Sequence, residues 1–493
     1  MGGSPDIQEM AVMAKQSPSA NAKDTPLLHD DNNPIYLQLC ARFKTAIAEG
    51  RMAPGDRMPS VRALASELGL SRGTVNLAYQ IMAEEGYLEF RGAAGTFVEE
   101  RLKKTSNAGS PRLVTGRARA ERLPNIRPFQ LGLPALDAFP RKTWNRLVSR
   151  RSRELGIEQL GHPQPAGLMA LRERIAAYLA FSRGIACRPE QVFVTSGHRA
   201  SLELIMRALH QPGDGIWFED PGYPIARDFL VSMGAKLHPV PVDQDGLIVE
   251  GGRARAPDAR FAMVTPANQS PLCVMMSKER RGELLKWAEE GQRWIIEDDY
   301  DSEYRYNRRP PLSLKAMDRG ERVLFTGSFS KVLYPALRLA YLLVPPSEID
   351  SFERASRLIS AGCPEFHQSV IADFMEQGYF IRHLKKMRTL YAQRRQLLVD
   401  TMQDVFGDGV RAISPPAGLH LAMQFEGYRA SSAKIATLAQ ADGFGLQSLS
   451  SWHMGPPSVD GLLISFTNLS SRHMAETLAQ RLKAICMAAD QEG

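Results

Sequence analysis

At 493 residues, with 44% hydrophobic and 23% charged content, the chain exceeds what one hydrophobic core usually serves, and at least two domains are expected. Its five cysteines (Cys40, Cys187, Cys273, Cys363, Cys486) are scattered, which argues against a disulfide framework and against a metal site. No apolar run reaches the length of a membrane span and the start of the chain lacks a signal-peptide core, so a cytoplasmic protein without a membrane partner is expected.

Residues 1–33 are polar and aperiodic, the composition of a disordered arm. Between 36 and 49, apolar residues fall at Tyr36, Leu39, Cys40, Phe43 and Ile47, one face of a helix that Gly50 ends. Pro54-Gly55-Asp56 makes a turn. Ser60 then caps a short helix that buries Val61, Leu64, Ala65 and Leu68, and Gly69-Leu70 breaks it. Ser71 caps a third helix whose Val75, Tyr79 and Met82 face inwards, leaving Arg72, Thr74 and Asn76 outside. This is the spacing of a helix-turn-helix, whose second helix enters the major groove by its N-terminal end; a three-helix module without DNA contacts is the plainer alternative. Segments 87–90 and 95–98, around Gly92-Ala-Ala-Gly95, read as the hairpin of a wing.

Pro54-Gly-x-x-x-Pro-Ser-x-Arg-x-Leu-Ala65, Leu70-Ser-Arg-x-Thr-Val75 and Gly95-Thr-Phe-Val98 resemble the winged helix-turn-helix of GntR-type transcription regulators. The resemblance covers 34–99 and implies contact with double-stranded operator DNA through Arg62, Ser71, Arg72, Thr74 and Asn76, with Gly95 at the wing. Ala93-Ala94 stands where such wings often carry glycine and a polar residue.

The net charge of +7 is unevenly spread: Glu99 to Glu154 holds 14 Lys or Arg against 5 Asp or Glu. Such a stretch suits a phosphate backbone as well as it suits a solvated, self-repelling connector. Residues 100–128, with Ser106-Asn-Ala-Gly-Ser-Pro111, are expected to be a basic flexible linker. From 129 to 488 short apolar runs at 192–195, 215–218, 260–265, 294–297 and 323–325 alternate with helix-length segments. That rhythm indicates an α/β domain with a mostly parallel sheet and ligand residues at the strand ends.

Each strand end carries a candidate. Ser196-Gly197-His198-Arg199 precedes a helix, whose N-terminal backbone N–H groups suit a phosphate. Tyr223, in Asp220-Pro-Gly-Tyr-Pro224, is placed to stack on a planar ring or simply to pack. Glu297, Asp298, Asp299 and Asp301 repel one another, so a cationic partner is expected, and a protonated pyridine nitrogen on Asp298 with Tyr300 at the phenolate oxygen of the same ring would serve. Thr326-Gly-Ser-Phe-Ser-Lys331 ends the last run. Lys331 among Phe329, Val332 and Leu333 is a lysine whose pKa burial would lower, freeing its amine to attack an aldehyde; a solvated surface lysine is the alternative. Arg338 lies seven positions on, and a helical segment would return it to the side of Lys331. An aldehyde beside a doubly charged anion suggests pyridoxal 5′-phosphate.

Taken together these motifs resemble a fold-type I aminotransferase domain, and the two resemblances in this order describe the MocR subfamily of GntR regulators. The resemblance implies that Lys331 forms the Schiff base, Asp298 binds the pyridine nitrogen, Tyr300 the phenolate oxygen, and Tyr223 lies on the ring, with Ser328 and Arg338 holding the phosphate. Pro163-Gln-Pro-Ala-Gly167, Arg382, Arg388, Arg394 and Arg395 are also similar. It further implies a homodimer. Two departures stand out. Where MocR proteins carry Gln-x-Pro-x-Gly, this chain reads Asn268-Gln-Ser-Pro-Leu-Cys273, leaving open whether Asn268 or Gln269 reaches the phenolate oxygen. The arginine that clamps an α-carboxylate in aminotransferases would precede Ser465-Phe466, where leucine and isoleucine stand.

The expected function is a regulator, not an enzyme, that senses an amine by aldimine exchange at Lys331; the rival is a working aminotransferase tethered to DNA. Without the clamp, an ω-amino acid or an aminosulfonate such as taurine suits the site better than an α-amino acid. Arg199, Arg227 and His453 are candidates for its acid group.

Overall fold

Two serines begin the helices that shape the N-terminal unit. Ser60 Oγ accepts the Ala63 N–H at 3.1 Å and Ser71 Oγ that of Thr74 at 3.0 Å, each satisfying a donor that the first helical turn leaves open. The structure, a computed structural model, describes residues 34–101, 126–306, 312–359, 363–457 and 459–491; the expected arm 1–33 and most of the expected linker 100–128 lie outside the described residues. Helices α1 (Ile35–Ala48), α2 (Val61–Leu68) and α3 (Arg72–Glu84) are followed by an antiparallel pair, β1 (Leu88–Phe90) and β2 (Thr96–Val98). Gly69 ends α2 at φ 65°, a left-handed position that glycine takes without strain. Leu39, Phe43, Val75, Tyr79 and Met82 form the buried core of this unit, with Val61 and Leu68 packed at its edge.

The larger unit begins with α4 (Arg141–Arg153) and α5 (Met169–Arg183). Its strands are β3 (Val192–Thr195), β4 (Gly215–Asp220), β5 (Lys236–Asp243), β6 (Gly246–Leu247), β7 (Phe261–Val264), β8 (Trp294–Asp299), β9 (Val323–Ser328) and β10 (Ala340–Leu343). They form one sheet in the order β3-β10-β9-β8-β7-β4-β5-β6. β9, β8, β7, β4 and β5 pair parallel. The residues of β4, β7, β8 and β9 are almost all buried, as a central parallel strand covered on both faces demands, whereas β5, nearer the sheet edge, is only partly buried. A second, antiparallel sheet, β11 (Val410–Ala412), β12 (His420–Phe425), β13 (Gln447–Ser448) and β14 (Leu462–Ser465), has the order β11-β12-β14-β13.

Three points that the sequence leaves open are decided by the structure. The segment from Lys331 to Arg338 is not a helix: it turns, with a single short 3₁₀ piece at Pro335–Leu337 and Arg338 at φ 51°, and then reverses into β10, antiparallel to both β9 and β3. The missing glycine of the 268–273 turn does not prevent the turn, because Cys273 itself adopts φ 60° and donates its N–H to Gln269 O at 2.6 Å. The second half of the basic stretch is α4, where Arg150 and Arg151 both bind the buried Asp373. Among the described residues no helix is long and apolar enough to cross a membrane, and no cluster of His, Cys, Asp and Glu could hold a metal.

Candidate functional site

In the N-terminal unit the exposed residues of α2 and α3 stand beside a hydrogen-bonded turn. The Tyr79 hydroxyl donates to Pro59 O at 3.0 Å, tying α3 to the start of α2. Ser71 and Thr74 are hydrogen-bonded to each other at 2.8 Å, so both hydroxyls serve the cap. Arg62, Arg72 and Asn76 are exposed and Thr74 is half-buried. Gly95 sits in the wing at φ 107°.

In the larger unit a cavity of about 330 Å³ opens at the carboxyl ends of the strands, where open α/β sheets bind ligands. Lys331, Asp298, Tyr300, Tyr223, His198 and Ser328 line it. α6 (His198–Leu209) follows β3, and α7 (Pro224–Ser232) follows β4, which puts His198 and Tyr223 at helix starts.

The four carboxylates after Ile296 divide by task. Glu297 accepts the N–H groups of Leu314 and Lys315 at 2.9 and 2.8 Å, capping a short helix. Asp299 pairs with the buried Arg183 at 2.6 Å. Asp298 and Asp301 are left facing the cavity. Asp298 accepts from Thr326 Oγ1 at 3.1 Å and lies 3.5 Å from His198 Nδ1; burial raises its pKa, with His198 and Thr326 acting the other way. Lys331 donates through Nζ to Gly132 O at 2.9 Å. Burial lowers its pKa, opposed by Asp301 and Asp298, which is the direction a nucleophilic amine needs.

The neighbourhood of Gly197 is a cradle. Gly197 is the N-cap of α6 at φ 111°, and a Cβ added there would lie 3.3 Å from the guanidinium of Arg338. Helix-start N–H groups beside an arginine make an anion site. Ser328 Oγ, nearby on the end of β9, accepts the Ser330 N–H at 3.2 Å. Ser196 is exposed and lines a smaller neighbouring cleft with Pro165, Glu203 and Cys363.

Asn268 and Gln269 separate clearly. Asn268 Nδ2 donates to Asp301 at 2.7 Å and to the Tyr300 hydroxyl at 3.3 Å. Gln269 is buried away from the cavity, its Nε2 within bonding distance of Glu219, Pro221 O and Ser270 O. Of the acid-group candidates, none lines the cavity: Arg227 bonds Asp228 and His453 O, His453 is buried against Asp220, and Arg199 is exposed. Leu463, ahead of Ser465, is packed among Ala422, Leu449 and Trp452. Arg388, Arg394 and Arg395 are committed to Glu303 O, Asp137 and Ser414 O, and Arg382 to backbone carbonyls of its own turn.

Residues 151–476 match the aminotransferase class I and II family, and residues 35–98 match the bacterial regulatory proteins of the gntR family. A probable rhizopine catabolism regulatory protein, MocR, of Rhizobium meliloti is 34% identical, over 94% of this chain and 96% of its own length. The chain belongs to the MocR subfamily of GntR-type regulators. The pyridoxine biosynthesis transcriptional regulator PdxR of Corynebacterium glutamicum is 30% identical to this MocR-type chain, covering 94% of it and 99% of PdxR. Among solved structures, the multiple substrate aminotransferase of Thermococcus profundus shares the fold, with a TM-score of 0.67 at 23% identity over 76% of this chain and 94% of that one.

This MocR-type protein is therefore a DNA-binding transcription regulator whose larger unit is an aminotransferase-like domain with pyridoxal 5′-phosphate as its cofactor. The residues fit that group. Among the described residues, Asp301 Oδ2, Asn268 Oδ1 and His198 Nε2 are buried with no hydrogen-bond partner, and Asp298 has no arginine or lysine against it, so a polar, partly cationic molecule would satisfy what the chain leaves open. Sequence reasoning missed the opposite wall: Leu131, Leu133, Leu419, His420, Gln447 and Trp452. His420 Nε2 lies 2.9 Å from Pro271 O, which as a carbonyl can only accept, so Nε2 is the donor; burial lowers the pKa of the ring and the Pro271 bond opposes it. Only Gly418-Leu-His420, a glycine turn leading into a strand, hinted at it locally.

Proposed function

We propose that this regulator senses a primary amine in the cavity of its larger unit and passes the result to operator binding by Arg62, Ser71, Arg72, Thr74, Asn76 and the wing at Gly95. The observation that carries this reading is a desolvated lysine and a partner-poor buried aspartate in one cavity beside an arginine-backed helix start. Lys331 would hold the cofactor covalently, Asp298 its pyridine nitrogen, Tyr300 with Asn268 its phenolate oxygen, and Ser328, Arg338 and the 196–198 backbone its phosphate, with Tyr223 against the ring. When bound, pyridoxal phosphate supplies an aldehyde carbon that takes primary amines. Burial keeps the Lys331 amine able to release its proton, and Asp298, held by Thr326 and His198, keeps an acceptor pointed at the pyridine position.

The effector's acid group, where it has one, lies away from the amine, as in an ω-amino acid or an aminosulfonate such as taurine. Supporting this, leucine and isoleucine stand where the clamp arginine is expected, with Leu463 packed among apolar side chains, and Arg199, exposed beside the cavity wall, is near enough to act on Tyr223. A buried anion without a cation would be costly. The protein works as a homodimer in the cytoplasm, two heads matching a repeated DNA site.

The test is the visible absorbance of the purified, cofactor-loaded protein. Taurine-like and GABA-like amines are expected to shift it at concentrations where alanine and glutamate do not, and the reverse ranking overturns the remote-acid reading. Lys331→Ala is expected to lose the band on dialysis. Retention of both the band and the amine response by that variant would reassign the lysine.

A further inference from the structure

The wing of the N-terminal unit has a third edge that belongs to the turn before α2. Gly55 N–H donates to Val98 O at 2.9 Å, Val98 N–H to Asp56 O at 2.9 Å, and Met58 N–H to Thr96 O at 2.8 Å, with Arg57 directly opposite Phe97. Residues two apart on a strand share a face, so Arg57 projects on the side of Gly95. Its guanidinium lies on that glycine: a Cβ at Gly95 would be 3.1 Å from Arg57 Nε and 3.3 Å from Nη2. Only a residue without a side chain lets the two meet.

Between Tyr87 and Val98 the only charged residues, Glu89 and Arg91, pair with each other. Arg91 bonds Glu89 at 2.8 Å and Glu100 at 3.3 Å and lies over the Phe97 ring. Gly92-Ala93-Ala94, the turn itself, carries no polar side chain. Arg57 is exposed and forms no ion pair or side-chain hydrogen bond among the described residues, a state it shares with Arg62 and Arg72. An arginine kept in water without a carboxylate, on the edge of a DNA-binding wing, has a free five-donor fork for phosphate oxygens.

We propose that Arg57 is the wing's DNA contact, donating to backbone phosphates and standing in for the polar residue that Ala93-Ala94 lacks. Its guanidinium lies beside Gly95 at the base of the turn, so in this proposal it meets backbone phosphates and positions the head without reading bases. The inference rests on the family's DNA binding and is independent of the amine reading.

The test is a salt titration of the full-length protein on a fluorescently labelled, mixed-sequence duplex, where binding is electrostatic. Removing one arginine–phosphate pair lowers the slope of log K against log salt by about 0.9. Arg57→Ala is expected to lower it by about that much per bound protomer, Arg57→Lys to keep it, and Arg91→Ala to leave it at the parent value. An unchanged slope in Arg57→Ala, an equal decrease in Arg91→Ala, or a decrease in Arg57→Lys would each overturn the assignment. A parent protein that failed to bind the duplex would instead count against the DNA-binding reading of the whole unit.

Discussion

Buried carboxylates around the cavity make the stability of the larger unit sensitive to pH. Burial pushes the Glu219 carboxyl up to about 7, against hydrogen bonds from Thr265 and Gln269 that pull it down, and Glu297 is likewise pushed to about 7 by burial. An acid whose folded pKa exceeds its unfolded one holds a proton that the unfolded chain releases. Its contribution is complete below the unfolded value and is lost as pH rises through about 7. Glu219→Gln, neutral at every pH, removes that loss. Between about pH 5 and about pH 8 the melting temperature of the parent's larger unit should fall more than the variant's, the difference corresponding to roughly 3 kcal/mol. Parallel pH profiles would show that Glu219 is ionised throughout.

Two local devices position the functional side chains, and each is open to a single substitution. Ser71 Oγ starts α3, and the first turn it organises carries Arg72, Thr74 and Asn76. Ser71→Ala should cost about 1 kcal/mol and weaken duplex binding, read by thermal unfolding and anisotropy on the full-length protein. In β9, Gly327 pairs with Tyr341 of β10, and a side chain at Gly327 would enter the Tyr341 ring. Gly327→Ala should destabilise the larger unit by about 1–3 kcal/mol and reduce cofactor retention, because Ser328 ends that strand and Lys331 lies in the turn that follows it. Unchanged unfolding with unchanged absorbance would mean that the sheet absorbs the methyl group.

The chain divides into two units, each with its own buried core, so damage to one site should be separable from function at the other. Lys331→Ala is expected to bind the duplex like the parent while its binding no longer responds to amines. Binding by the parent should weaken steeply with salt, as arginines displace counterions. Asn76→Ala should relax specificity if that side chain reads a base edge, and an equal loss on all duplexes would show a phosphate contact only. Together these measurements separate sensing from recognition.

Features that depend on neighbours in the chain were readable from the residues alone. Serine caps, the Gly69 break, the helix-turn-helix spacing, the parallel-strand runs and the Ser328-to-Lys331 strand end are set by backbone propensity and periodicity over a few residues. Assignments that depend on distant partners were not. Nothing near Asp299 shows that Arg183 neutralises it, leaving Asp298 and Asp301 for the cavity, because that pairing spans 116 positions. Nothing in Asn268-Gln269 says which amide is spent, since Glu219 and Pro221 decide it from another strand end. The reversal into β10 was hidden because an apolar run reads alike in either direction, and only pairing with β3 and β9 gives it one. Arg57 looks like any turn arginine until β2 brings Gly95 beneath it. Burial and charge pairing are properties of the packed chain, and they, not local pattern, chose which of the legible residues remain free to bind.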